Sequence, residues 1–282
     1  MRAVLLLSCP DQKGLVASVA DFLFRHGGNI VHADQHTDFE QGLFLQRVEW
    51  DLDGFALPRD GIADAFRPLA ERFSMSWELR FAGPRPRLAI LVSKLDHCLV
   101  DLLWRRQAGE IEADIPLVLS NHEDLRAAAE RFGVPYHVHP VTPEGKLAEE
   151  ARLEARLDAA AIDLVVLARY MQVLSPGFVA RRRDRVINIH HSFLPAFAGA
   201  RPYHQAYQRG VKVIGATAHY VTEELDQGPI IEQDVVRVSH RDTVEDMMRK
   251  GRDLERVVLA RAVSLHLRHR VLVYGNKTVV FE

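Results

Sequence analysis

The chain has few cysteines and no excess of charge of either sign. Its 282 residues include 2 cysteines, and 36 Lys and Arg stand against 38 Asp and Glu, which gives a net charge of −2. Cys9 and Cys98 belong to no paired-cysteine motif, which argues against a disulfide framework or a zinc ribbon and fits a reducing cytoplasm. The lack of an overall basic charge argues against a nucleic-acid partner.

Long hydrophobic runs are also missing. The first apolar run, Ala3–Leu7, is interrupted by Ser8–Asp11 and is shorter than the apolar region of a signal peptide. No stretch reaches the roughly 20 apolar residues of a membrane span, so we expect no membrane association. The remaining composition, 48% hydrophobic and 26% charged, is typical of a globular chain, and 282 residues predict about two domains.

Residues 1–83 predict a ferredoxin-like domain with the element order βαββαβ. Strand-like segments, either alternating or continuously apolar, are separated by segments whose apolar residues recur at helical spacing. A Gly-containing loop joins the second and third strands. The run Gly-Pro-Arg-Pro at residues 83–86 disfavours regular structure. We therefore expect a boundary there, between domains 1–83 and 84–282.

Beyond this boundary, continuous apolar strands alternate with helices. This pattern predicts an α/β domain with a Rossmann-like, mostly parallel open sheet that helices cover on both faces. Ligands of such sheets bind at the carboxyl ends of the strands. Asn188 and His190 lie two residues apart at the end of the predicted strand Val186–His190, so their side chains leave the same face.

These residue types suit the stabilisation of a developing oxyanion. The amide of Asn188 and the imidazole of His190 can both donate hydrogen bonds to a carbonyl oxygen under attack. A carboxylate is then needed to orient water or to pair with the imidazole, and Asp226 in the acidic loop Glu223–Gly228 is the candidate. An Asn, His and Asp set suits acyl or formyl transfer without a covalent intermediate.

Other interpretations of the same segment stay open at this point. An Asn-x-His pair on a strand end is often only part of a hydrogen-bonded turn, and Ser192 lacks the Gly-x-Ser-x-Gly context of a nucleophile. We predict no metal site, because no pair among the neighbouring histidines has the short helical ligand spacing of a zinc motif. These histidines are His190, His191, His204 and His219.

Longer motifs carry a resemblance to a known family. The runs INIHHSFLP, GARPYHQAYQRGVKVIGATAHYVTEELDQGPII, LARYMQVLSP and SKLDHCLVDLLWR resemble the formyltetrahydrofolate deformylases, relatives of the glycinamide ribonucleotide formyltransferase family. The resemblance covers nearly the whole chain. It implies a formyltransferase-type catalytic domain that hydrolyses 10-formyltetrahydrofolate, with Asn188, His190 and Asp226 as the catalytic set, no bound cofactor, and a link to folate one-carbon metabolism and purine biosynthesis.

The resemblance also implies a folate pocket made by the loops at residues 169–174 and 221–226. Its expected residues are Arg169, Met171, Gln172, Leu174, His191, His219 and Val221. Related transferases have proline where this chain has His191, and a glycine-rich turn for the acceptor phosphate where this chain has Val92–Cys98 without glycine. We therefore expect His191 and His97 to restrict the pocket to water.

Two alternatives to a hydrolase remain. One is a formyltransferase to an amine whose acceptor site goes unrecognised. The other is a folate-binding or amino-acid-sensing protein with a degenerate catalytic domain, against which the intact Asn188, His190 and Asp226 argue. A nicotinamide-dependent oxidoreductase is disfavoured because no Gly-x-Gly-x-x-Gly turn follows Leu88–Ser93.

The loop Pro10–Gly14 and the βαββαβ order resemble the ACT domain. This resemblance implies pairing of the domain with a copy of itself, hence a homo-oligomer such as a dimer or tetramer, and an amino-acid effector such as methionine or glycine. The candidate effector residues are Asp11, Gly14 and Asn29. The alternative is that the loop only caps a helix and the domain only builds the oligomer.

Overall fold

The computed structural model describes residues 1–142, 144–196 and 202–282. The chain divides into two compact units. One contains residues 1–84, 268–274 and 278–282, and the other contains residues 85–267 and 275–277.

The first unit has the predicted βαββαβ order. Its elements are β1 (Arg2–Pro10), α1 (Leu15–Arg25), β2 (Asn29–Asp38), β3 (Leu43–Asp51), α2 (Ile62–Arg72) and β4 (Ser76–Phe81). The strands form an antiparallel sheet in the order β2-β3-β1-β4. Both helices share one apolar cluster with this sheet, in which Leu15 of α1 and Phe66 of α2 are buried with Leu5, Leu7 and Trp50.

The second unit contains a seven-stranded sheet with helices between its strands. Its elements are β5 (Arg87–Val92), α3 (His97–Gln107), β6 (Asp114–Ser120), α4 (Arg126–Arg131), β7 (Tyr136–Val138), α5 (Lys146–Ala159), β8 (Leu164–Leu167), α6 (Pro176–Arg181), β9 (Val186–His190), α7 (Pro202–Arg209), β10 (Val213–Tyr220), β11 (Ile230–Arg237) and α8 (Val244–Leu267). Within the described part of the chain, no helix is long and apolar enough to cross a membrane.

The strand order of this sheet, β11-β10-β9-β8-β5-β6-β7, has a switch point between β8 and β5, next to the strand β9 that carries Asn188 and His190. Strands β5 to β9 run parallel, and β10 and β11 run antiparallel to their neighbours, so the predicted mostly parallel sheet is confirmed. The chain leaves β5 towards β6 on one side and returns to β8 on the other. The loops after β5 and β8 therefore lead to opposite sides of the sheet, and they do so at the edge where such sheets bind ligands.

The C-terminal residues differ from the predicted domain 84–282. A hairpin of β12 (Val271–Tyr274) and β13 (Lys277–Val280) follows α8. Phe281 and flanking apolar residues of the hairpin cover Val4, Leu6 and Leu45 on the second face of the first sheet. Because β1 is apolar on both faces, its sheet needs a second covering layer, and the last residues of the chain supply it.

A buried arginine fixes this hairpin. The side chain of Arg47 on β3 is 2% exposed and pairs with Glu49 at 2.8 Å. Its Nε donates to the carbonyl of His269 at 2.9 Å, and its Nη2 donates to that of Arg268 at 3.3 Å. These bonds satisfy the carbonyl groups of the chain as it leaves α8.

Candidate active site

Strand pairing brings Asn188 and His219 together. On β9 and β10, His219 stands directly opposite Asn188, and Asn188 Nδ2 lies 3.2 Å from His219 Nε2. The other ring nitrogen, Nδ1, lies 2.9 Å from the carbonyl of Tyr220. A carbonyl only accepts, so Nδ1 carries the proton and Nε2 accepts from the Asn188 amide. This orients the amide and leaves its second N–H free to donate.

Asp226 completes the set from a neighbouring loop. Its Oδ2 lies 3.2 Å from His190 Nδ1, and its Oδ1 lies 3.7 Å from His219 Nε2. Asp226 adopts a left-handed backbone, with φ of 56°, which Asp tolerates better than most residues. At Gly228, a Cβ atom would lie 1.7 Å from the carbonyl oxygen of Tyr220. Only glycine therefore lets the loop fold back onto the end of β10.

The electrostatics favour an ionised Asp226 at this position. The hydrogen bond from His190 holds the pKa of Asp226 well below its usual value, against the opposing effect of burial. The carboxylate is therefore ionised at neutral pH and accepts the Nδ1 proton of His190. The opposite ring atom, His190 Nε2, is buried and has no hydrogen-bond partner among the described residues. A buried polar atom without a partner is rare in proteins, and here it points to a ligand.

The segment after β9 is held by Thr217 on β10. The Thr217 hydroxyl donates to the carbonyl of Ser192 at 2.8 Å and accepts from the Leu194 amide at 3.1 Å. The Gln233 amide bonds both Thr217 and the Leu194 carbonyl. These bonds tie residues 192–194 to the sheet directly after His190. Residues 199–201, which open one of the motifs, lie outside the described residues.

The loop after β8 is tied to the loop after β5. Ser93 Oγ accepts from the Met171 amide at 3.0 Å and donates to Asn121 Oδ1 at 2.7 Å. At the other end of the loop, the Ser175 amide and hydroxyl bond the carboxylate of Glu150. The backbone of residues 171–175 is therefore anchored at both ends.

The predicted folate residues divide into two groups. Gln172 and Leu174 line a cavity beside α5, with Tyr170 and His139 on its walls, and Leu174 and Val221 pack against one apolar cluster. Met171 is exposed. Burial raises the pKa of Tyr170 to about 12, so its hydroxyl stays protonated.

The second group, Arg169 and His191, lies on the side of helix α8, together with His97, which was predicted to restrict the pocket to water. Arg169 Nε is 3.5 Å from a carboxylate oxygen of Glu255, and His97 Nε2 is 2.8 Å from the same oxygen. The ring of His191 packs between those of His190 and Tyr203. Burial, followed by the charge of Arg169, lowers the pKa of His191 to about 3, so its ring is neutral at physiological pH.

Glu255 and Tyr203 are the site-adjacent residues that sequence reasoning missed. A signal for Glu255 was present, because it lies in the buried stripe of α8 with Gly251, Val258 and Ala262. A carboxylate in such a stripe is rarely buried without partners. Tyr203 offered no comparable signal.

One group of potential metal ligands exists among the described residues. Ligand atoms of His97, Cys98 and Glu255 lie within 4.8 Å of one another. His97 and Glu255 are already hydrogen-bonded to each other, and burial raises the pKa of the Cys98 thiol well above its usual value. A metal would have to break this bond and take a thiolate that burial disfavours, so these residues do not fit one well.

The predicted effector residues lie in the first unit. Asp11, Gly14 and Asn29 are exposed, and the Asp11 amide bonds the carbonyl of Gly42 at 2.8 Å. Gly14 precedes α1 with φ of 93° and no side-chain cap. Their role in binding an effector stays a prediction.

Comparisons with known proteins agree with this architecture. A formyl transferase family model matches residues 86–263, and an ACT domain model matches residues 3–71. A formyltetrahydrofolate deformylase of Synechocystis is 60% identical over 100% of this chain and 99% of its own length. The crystal structure of a formyltetrahydrofolate deformylase from Pseudomonas syringae, 51% identical, superposes with a TM-score of 0.96 and covers 100% of this chain and 95% of that one.

A transferase structure matches a smaller part of the chain. Glycinamide ribonucleotide transformylase 1 from Symbiobacterium toebii is 33% identical, with a TM-score of 0.67, over 73% of this chain and 98% of that one. The deformylases, by contrast, match from end to end, which confirms the resemblance drawn from the motifs. The chain belongs to the formyltetrahydrofolate deformylase family.

Proposed function

We propose that this chain hydrolyses 10-formyltetrahydrofolate to formate and tetrahydrofolate at the site formed by Asn188, His190 and Asp226. The observation that carries the proposal is the buried, unpartnered Nε2 of His190, held by an ionised Asp226 beside the oriented amide of Asn188. Both donors leave the same face of β9, where one carbonyl oxygen can accept from both.

The reaction follows from these donors and one carboxylate. The oxygen of water attacks the formyl carbon, and the carbonyl electron pair moves onto the oxygen that Asn188 and His190 bind. The Oδ1 of Asp226 accepts a hydrogen bond from this water and receives its proton. The bond between carbon and N10 then breaks, its electron pair takes the proton that Asp226 received, and formic acid leaves and ionises to formate. The balance needs water alone, so we propose a reaction without a cofactor.

We place the folate between the loops at residues 169–174 and 221–226. The anchored backbone of the first loop and the folded-back backbone of the second offer N–H and C=O groups to a pterin ring. The residues assigned to this pocket are Arg169, Met171, Gln172, Leu174, His191, His219 and Val221. His97 and His191 are assigned to the exclusion of acceptors other than water.

Transfer of the formyl group to an amine is not favoured. Relatives that match the whole chain carry the name of the hydrolase, whereas the transformylase structure matches 73% of it. A transferase would also need a bound acceptor next to His190. Formyl transfer to an amine is therefore the alternative that the assay below distinguishes from hydrolysis.

The assay uses purified full-length protein and 10-formyltetrahydrofolate without any amine. We expect formate and tetrahydrofolate in equal amounts, and the same rate when glycinamide is added as an acceptor. Formation of N-formylglycinamide, with no formate in its absence, would establish the transferase and overturn the hydrolase.

We further propose that the first unit senses an amino acid such as methionine or glycine and pairs with its copy in a homo-oligomer. The ACT family match supports this assignment, and Asp11, Gly14 and Asn29 are the proposed contacts. The two free, buried cysteines fit a reducing cytoplasm, where formate and tetrahydrofolate would serve purine biosynthesis. Sedimentation with and without each amino acid, repeated with Asp11→Ala, tests the oligomer and the effector together.

A further inference from the structure

A second buried polar cluster lies next to the catalytic residues. Its centre is Glu255 on α8, and its other members are His97, Arg169 and Tyr203; we call it the Glu255 cluster. The Tyr203 hydroxyl donates to Glu255 Oε1 at 2.8 Å. His97 Nε2 lies 2.8 Å from Oε2, and Arg169 Nε lies 3.5 Å from it.

The cluster is almost fully removed from solvent. The side chain of Glu255 is 2% exposed, and those of His97 and Arg169 are 10% exposed. Burial works to raise the pKa of Glu255, but the hydrogen bond from His97 and the charge of Arg169 outweigh it and lower the pKa. Buried ion pairs are costly to desolvate and are often no more stabilising than apolar packing. Stability alone therefore gives no reason for this arrangement.

Helix α8 makes room for Tyr203. A Cβ atom at Gly251, one turn before Glu255, would lie 1.9 Å from the Tyr203 hydroxyl oxygen. Glycine is less favourable than alanine inside a helix, and here its missing side chain opens the path by which the hydroxyl reaches the carboxylate. The position of Tyr203 is thus defined by its hydrogen bond and by the shape of the helix.

Ring packing connects Tyr203 to the catalytic histidine. The ring centroids of Tyr203 and His191 are 5.9 Å apart, and those of His191 and His190 are 5.1 Å apart. The His191 ring is neutral, because burial and the charge of Arg169 disfavour its cationic form. It can therefore pack against His190 without placing a positive charge beside it.

We propose that Glu255 and Tyr203 are positioning residues that hold His191 against His190 and so keep Nε2 of His190 directed at the formyl oxygen. Neither residue touches the substrate. Asp226 restrains the His190 ring through Nδ1, and the tilted ring of His191 packs against it. Catalytic groups lose rate steeply when they are misplaced by about 1 Å. This inference rests on the proposed hydrolysis, and it assigns the alignment of His190 to Glu255 and Tyr203.

The test removes the hydroxyl of Tyr203 and compares the effect on kcat with that of removing a similar hydroxyl outside the site. Tyr203→Phe keeps the ring but breaks the bond to Glu255. Tyr136→Phe is the control, because the hydroxyl of Tyr136 on β7 is also buried and donates to a backbone carbonyl, that of His122, at 2.6 Å. We expect kcat to fall roughly tenfold to a hundredfold in Tyr203→Phe, with KM within about twofold, and kcat of Tyr136→Phe to be unchanged.

Substitution of Glu255 supplies a rescue experiment. Glu255→Gln keeps an acceptor for the Tyr203 hydroxyl, whereas Glu255→Ala removes it. We expect the Gln variant to retain at least tenfold more kcat than the Ala variant at similar KM. Equal kcat in both variants would overturn the proposal, as would wild-type kcat in Tyr203→Phe.

The failure of this inference is distinguishable from failure of the proposed function. If the wild-type protein releases no formate, the hydrolysis itself is wrong. If the wild type releases formate and Tyr203→Phe does so equally fast, only the positioning role is wrong. Thermal unfolding of all four variants shows whether each is folded at the assay temperature, and Tyr203→Phe carries the decision if Glu255→Ala is not.

Discussion

At the scale of single residues, the site depends on how Asp226 meets His190. The carboxylate is set by a left-handed backbone and lies 3.2 Å from Nδ1 of the imidazole. The carboxylate accepts from Nδ1 and so fixes the plane of the ring, which directs Nε2 at the position of an oxyanion. Loss of the charge should therefore affect the reaction more than the binding of folate.

The first prediction concerns that charge. Asp226→Asn keeps the size of the side chain but removes its ability to stabilise the imidazolium and to take a proton from water. We expect kcat for formate release to fall by at least about a hundredfold. The control is Asp234→Asn, because Asp234 lies on β11 and pairs with Arg261 outside the site. Near wild-type formate release by Asp226→Asn would contradict the assignment.

The second prediction concerns the neutral ring of His191. Its pKa is about 3 in the folded protein and about 6.5 when unfolded, so the unfolded chain binds a proton that the folded protein rejects. Stability should fall as pH drops from 6.5 towards 3, by up to roughly 1.4 kcal/mol per pH unit from this group.

Removal of the ring should flatten that dependence. We expect the free energy of unfolding of His191→Gln, from urea titrations between pH 6.5 and 4.5, to decline less steeply than that of the wild type. The exposed His240 supplies the matched control, His240→Gln. A wild-type slope in His191→Gln would show that the ring is protonated in the folded state.

At the scale of elements, the sequence could predict half of the site. The β9 strand ends at His190 as predicted, and the i, i+2 spacing places Asn188 and His190 on one face. The approach of Asp226 could not be derived from strand patterns, because it depends on the loop between β10 and β11. The need for a carboxylate pointed to the acidic loop Glu223–Gly228, and the family resemblance agreed on Asp226; Gly228, two residues later, was the available structural signal.

The third prediction tests this loop. Gly228→Ala would place a Cβ atom 1.7 Å from the Tyr220 carbonyl oxygen, so the loop must move and carry Asp226 away from His190. We expect a loss of kcat comparable to that of Asp226→Asn while circular dichroism still reports a folded protein. Gly83→Ala is the control, because its Cβ would meet only ordinary contact at 3.7 Å. An active Gly228→Ala enzyme would refute the account of the loop.

At the scale of the whole molecule, the two-unit division and both fold classes were predictable, but the destination of the C-terminus was not. The break at residues 83–86 and the strand and helix periodicities on either side of it suffice to predict the two units and their fold classes. The last fifteen residues carry short apolar stretches that fit either unit, and only the doubly apolar strand β1 indicated that its sheet needs a second covering layer. Leu45 and Phe281 pack in one cluster although they are much farther apart in the sequence than any local pattern reaches.

The fourth prediction measures this covering layer. Phe281 is 1% exposed against β1 and β3, whereas Phe39, in the same unit, is 87% exposed. We expect Phe281→Ala to lower the free energy of unfolding of the first unit by about 3–5 kcal/mol, and Phe39→Ala to change it by less than about 0.5 kcal/mol. Urea unfolding in a Trp104→Phe background, followed by the fluorescence of Trp50 and Trp77, reports this unit, because Trp104 lies in the other unit. Equal effects of the two substitutions would mean that the hairpin does not cover the sheet.

In the proposed reaction, water attacks the formyl carbon at Asn188, His190 and Asp226. The most direct measurement is the isotopic composition of formate formed from 10-formyltetrahydrofolate in ¹⁸O-labelled water without any amine. We expect formate that carries at least one solvent oxygen, in an amount equal to the tetrahydrofolate released, and its loss in Asp226→Asn. Unlabelled formate, or no formate until an amine is added, would contradict it.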